Sequence, residues 1–162
     1  MKTRKAISIM AIALIVALGA IPSMAQEKSP GDMQLLLEKL RADKKLLVSL
    51  NMDLTDAEAK AFWPVYQAYQ DELFLIRART VKLIVDYKNA YEKMTDAIAR
   101  DLLNQHMLIE LLTVTLRQVY LPEFRKILPE AKVARYYQIE NKIQAALMFE
   151  LAANIPLLKM DK

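Results

Sequence analysis

The 162-residue chain has no cysteine and only two glycines. Without thiols there can be no disulfide staple, and no cysteine for a lipid to be attached to. The glycines are Gly19 and Gly31, so the long remainder lacks the residue that most readily takes positive φ, which argues against hairpins and a β fold. A glycine-rich phosphate loop is excluded for the same reason. There is one histidine, His106, and a tetrahedral zinc centre draws on several His or Cys ligands. A nucleophile–base–orienter relay has no base to build on, because His106 sits mid-helix in a polar stretch and reads as a solvated face. Neighbouring acids such as Asp71 and Glu72 point apart on a helix and form no convergent pair. The reading is a non-enzyme with no catalytic residue, cofactor or metal site.

What is present begins with a processing signal. Lys2, Arg4 and Lys5 form a basic start, Ala6 to Ala20 is apolar and uncharged, and Ser23-Met24-Ala25 is a small-x-small cleavage box, so residues 1–25 read as a secretory signal cut after Ala25. The alternative is a retained anchor, but the apolar run is short of the ~20 residues a membrane span needs. Export to the periplasm is the expectation, with no stable membrane insertion after cleavage. Three of the 23 basic residues and none of the 19 acidic ones lie in this segment, so the net charge falls from +4 to +1. That weakens a nucleic-acid reading. Residues 26–162 have the length of one domain. Six methionines remain there, dispersed from Met33 to Met160, a pattern of packing rather than of copper binding.

The spacing predicts four helices. The first starts near Ser29-Pro30 and runs to about Leu50, with Leu36, Leu40, Leu47 and Leu50 on one side. The second is capped by Thr55, with Glu58 completing a capping box, and runs to about Tyr91. Its seam of Phe62, Tyr66, Tyr69, Leu73, Ile76, Thr80, Leu83, Tyr87 and Ala90 alternates steps of four and three, which demands a partner along its whole length. Pro64 should kink it. Thr95 caps the third helix, where Ile98, Leu102, Ile109, Leu112, Leu116 and Val119 form one stripe. Leu103, Met107, Leu111 and Val114 widen that stripe, so this helix is either central in a bundle or buried by a second chain. Pro122 should bend or end it, and Leu128-Pro129 should stop it. The fourth runs from about Glu130 to Ala153, with Val133, Tyr136, Ile143, Leu147 and Leu151 inward. The tail is expected to be loose, with Ile155, Leu157 and Leu158 available to a partner. Helices this long in so small a chain imply a thin extended bundle or a dimer with a curved surface.

The tyrosines of the second helix have two readings. Tyr66, Tyr69 and Tyr87, with Tyr91 beside them, can be packing with hydroxyls reaching water. They can also be an amphipathic surface for unfolded chains, with Arg77, Arg79 and Lys82 supplying basic charge.

Leu54-Thr55-Asp56-Ala57-Glu58 recurs forty positions later as Met94-Thr95-Asp96-Ala97-Ile98. With the signal and the all-helical body, this doubled motif resembles the Leu-Thr-x-x-Gln motif of the Spy/CpxP family of periplasmic stress proteins. The family has Gln where this chain has Glu58 and Ile98. The resemblance implies a cradle-like homodimer of long bent helices that works without ATP. It further implies partners that are unfolded or partly folded exported proteins, or an envelope-stress sensor that it restrains. A structural or metal-responsive helical module is the third expectation.

Overall fold

The computed structural model describes residues 43–159. The signal segment and the start of the first helix lie outside them. The described residues from Lys45 onward form one compact unit. The described residues hold four α-helices and no strand: α1 (residues 43–52), α2 (Asp56–Ala90), α3 (Asp96–Ile127) and α4 (Glu130–Asn154), with a 3-10 turn at Tyr91–Lys93 between α2 and α3. The chain is all-α, as its glycine poverty and helical periodicities require.

The caps explain where the long helices begin. Thr55 Oγ1 accepts the Glu58 amide at 3.3 Å, and the Glu58 carboxylate accepts the Thr55 amide at 2.8 Å. Both orphan groups of a capping box are therefore satisfied. At the second motif Thr95 Oγ1 accepts the Ile98 amide at 3.3 Å, and the isoleucine gives nothing back. Leu128 is extended (φ −132°, ψ 148°), as the residue before a proline must be, and α3 stops there. Pro64 and Pro122 both lie inside continuous helices, so Pro122 does not end α3. Each deprives the carbonyl four residues earlier of its donor; Lys60 and Gln118, which carry those carbonyls, are exposed to water.

The turn between α1 and α2 is made without glycine. Asp53 takes φ 51°, a left-handed conformation that a short polar side chain tolerates better than most. Helix α1 continues through Met52, two residues past the expected end, and buries Val48 and Met52. Leu50, placed inward by the sequence pattern, is 73% exposed: the true inward pair sits two residues to either side of it, on the other face of the helix.

Helix α2 turns back into α3 as an antiparallel hairpin. Tyr69 meets Tyr120 and Phe124, and Tyr120 donates to Glu72 at 2.6 Å. Helix α4 then runs parallel to α2, because Gln70 meets Tyr136 and Glu140 while Arg77 meets Gln144. The core is aromatic. Phe62, Tyr66, Tyr69, Phe124 and Tyr136 are all buried, the tightest ring pair being Phe124–Tyr136 at 4.7 Å between centroids. Edge-to-face and tilted pairs of this kind contribute about 0.5–1.5 kcal/mol each beyond burial.

Candidate binding surface

The residues singled out as a client surface separate into three groups. Tyr66 and Tyr69 are 3% and 0% exposed and belong to the core, so that part of the expectation is corrected. Their side of α2 is covered by α3 and α4, and no chain outside the bundle can reach the rings. Arg77 is half-buried, and its guanidinium donates to Gln144 Oε1 at 2.7 Å. Arg79 and Lys82 are exposed, with Lys82 paired to Asp86 at 2.5 Å. Tyr87 and Tyr91 are half-buried at the far end of α2, their rings 5.7 Å apart.

Those last two tyrosines have a partner that sequence periodicity did not show. The tail is not loose over residues 155–159. Tyr87 Oη donates to the Pro156 carbonyl at 2.8 Å, and Tyr91 Oη to the Leu157 carbonyl at 3.0 Å. Lys159 Nζ lies 2.8 Å from Glu92 and 5.1 Å from the centre of the Tyr91 ring. The separations of 69, 66 and 67 positions in these pairs match the 70 and 67 of Gln70–Glu140 and Arg77–Gln144. The tail therefore continues the parallel register of α4 along α2.

Two motif residues serve the fold beyond capping. Lys132 Nζ bonds to Glu58 at 2.5 Å and donates to the Asp53 carbonyl at 2.9 Å. Arg135 donates to the Asn51 carbonyl. These cations from α4 satisfy carbonyls at the end of α1, where the helix dipole favours positive charge. The Lys132 bond, followed by the Thr55 amide, holds the Glu58 carboxyl below its ordinary value. Leu54 packs against the core. Met94 and Thr95 shape the α2–α3 turn.

A buried polar centre lies between α2, α3 and α4. Glu140 is buried and accepts from Gln70 at 2.9 Å, whose amide also donates to Tyr136 Oη at 3.2 Å. Burial is the main cause that pushes the Tyr66, Tyr69 and Tyr136 phenols up, with the Glu140 charge adding to it. Arg117 opposes the shift at Tyr69. Tyr69 Oη and Arg117 Nε are buried without a hydrogen-bond partner among the described residues. Phenols held protonated in this way are no bases or nucleophiles near neutral pH; the arrangement ties α4 to α2. Glu140 was readable in the sequence: it continues the Val133, Tyr136 spacing, and its charge hid it from an apolar count.

Large apolar side chains are exposed on several helices, among them Leu75 on α2 and Phe149 on α4, and α3 carries a row of them. Leu103, Met107, Leu111 and Val114 are 51–62% exposed on α3. Ile98 and Val119, expected on the inward stripe of α3, are also exposed. Helix α3 is thus not central within the chain: Ile109, Leu116 and Phe124 are its buried residues. His106 is exposed, 3.5 Å from Glu110, and no cluster of three or more His, Cys, Asp or Glu suited to a metal occurs among the described residues. None of the described helices is long and apolar enough to cross a membrane. No family model matches the chain, and no curated protein or solved structure matches it either.

Proposed function

We propose that this chain is an exported, ATP-independent chaperone-like protein of the Spy/CpxP type that binds unfolded or partly folded envelope proteins. The observation that carries this reading is the exposed stripe Leu103, Met107, Leu111 and Val114. Steps of four, four and three put these residues on one helix face, about 16 Å from end to end. A folded chain that leaves such a row in water holds a surface suited to apolar segments. The signal segment and the doubled Thr-capped motif support the periplasmic assignment. The same stripe could also pair two copies, in keeping with a homodimer.

The test is light scattering from a chemically unfolded client diluted into buffer with residues 26–162, without ATP. Suppression near one dimer per client is the expected result, and Leu103→Ser with Leu111→Ser should weaken it severalfold while helicity is unchanged. No suppression across several clients and salt concentrations would overturn the reading and direct attention to a dedicated sensor partner.

A further inference from the structure

We infer that Tyr87, Tyr91 and Glu92 form a peptide clamp that residues 155–159 occupy in cis, and that the tail thereby competes with extended client segments for this site. The inference rests on the client-binding reading and names one site through which it would operate.

The bonds made to the tail indicate what the clamp accepts. Both tyrosine hydroxyls donate to main-chain carbonyls, those of Pro156 and Leu157, so neither bond reads a side chain. Any segment free of helix or sheet pairing offers such carbonyls, because its backbone groups are unsatisfied. Pro156 breaks α4 and cannot donate an amide itself, which keeps residues 155–158 out of the helix and their carbonyls available. Specificity comes from one position only: Lys159 meets the Glu92 carboxylate and the Tyr91 ring face together. Leu157, at 90% exposure, contributes no apolar anchor. The fitting occupant is therefore an extended segment with a basic residue two positions beyond the second bound carbonyl.

The cis tail is a weak self-ligand by construction. It is held by two exposed hydrogen bonds and one exposed ion pair, and exposed ion pairs contribute little. Its advantage is tethering, which gives it a high effective concentration at the clamp. A client segment binds only in the fraction of molecules whose tail is released, so its apparent affinity is reduced by that fraction.

The probe is a fluorescent peptide with the sequence of residues 152–162, followed by anisotropy. Three proteins are compared: the full chain, the full chain with Lys159→Glu, and a chain ending at Asn154. No core residue lies among the described residues of the part removed, and circular dichroism verifies that the truncated chain stays folded. The expected result is binding about tenfold tighter to the truncated chain than to the full chain, with K159E in between. Tyr87→Phe with Tyr91→Phe in the truncated chain should abolish most of that gain. Equal binding to all three proteins, or no binding to any, overturns the inference. If the truncated chain does not fold, K159E decides: affinity equal to that of the unmodified chain overturns the clamp. Because the probe is the tail and not a client, the clamp can fail while aggregation suppression persists, and it can stand while suppression fails.

Discussion

Helix α2 carries one apolar seam from Phe62 to Ala90, yet its two halves are buried to different degrees. Phe62, Tyr66, Tyr69 and Leu73 are fully buried, whereas Ile76, Thr80, Leu83, Tyr87 and Ala90 are only half-buried. The cause lies in what the neighbouring helices present. Opposite the first half stand Phe124, Val133 and Tyr136, large side chains that close the space. Alongside the second half α4 brings Gln144 and the half-buried Ile143, Leu147 and Leu151, without an aromatic ring among them, and then gives way to the extended tail. Helix α3 divides by face instead, with Ile109, Leu116 and Phe124 buried on one side and the exposed stripe Leu103, Met107, Leu111 and Val114 on another. One end holds the aromatic core; the other leaves apolar surface in water and seats the tail on Tyr87, Tyr91 and Glu92. A periodic pattern shows which face wants cover, and how closely the neighbouring helices pack over it determines whether cover is complete.

Substitution at the aromatic end should break this contrast most. Phe124→Ala removes a ring that touches Phe62, Tyr69, Tyr120, Tyr136 and Tyr137 and should cost about 3–5 kcal/mol in denaturant unfolding. The two motif copies allow a finer comparison. Thr55→Ala should cost about 1 kcal/mol or more, because its hydroxyl both accepts the Glu58 amide and donates to the Glu58 carboxylate; Thr95→Ala should cost about 0.5 kcal/mol, because only one bond is lost. Equal losses would mean that the hydroxyl bond from Thr55 to the Glu58 carboxylate adds nothing.

Acid should act at the same corner. Glu58 and Glu130 both have carboxyls held below their ordinary value, Glu58 first by Lys132 and Glu130 first by Arg125. A depressed carboxyl contributes stability that is present above the ordinary value of 4.5 and is lost as the pH falls through the lower folded value. Glu58→Gln should therefore lower stability at neutral pH and flatten its fall below pH 4.5, read from urea midpoints across pH. The smallest effect on folding belongs to the exposed stripe. Leu103→Ser and Leu111→Ser should change stability by no more than about 0.5 kcal/mol each, so a larger loss would show that the stripe is structural.

The helices were legible because their signals are local. Thr55 and Thr95 mark starts, Leu128-Pro129 marks a stop, and the four–three spacing of the α2 seam marks an inward face. The candidate surface was less legible. Tyr66, Tyr69 and Tyr87 share residue type and helix, with Tyr91 just beyond its end, and nothing within α2 says which of them will be covered. Lys132 and Arg135 reach back to carbonyls 79 and 84 positions away, a relation that no local pattern encodes. The tail contact was hidden for the same reason, since it depends on main-chain carbonyls rather than on side-chain identity.

Taken alone, the sequence determined the helical class, the helix boundaries at capped and proline-marked ends, and the face of α2 that seeks a partner. These follow from backbone sterics, orphan amides at helix starts and the helical repeat, all of which act over a few residues. Only the tertiary structure decided which tyrosines became core, that Gln70 meets the Glu140 carboxylate, and that the tail lies along α2. Each of those outcomes depends on which side chains arrive from distant helices, and burial is a property of the space they jointly fill.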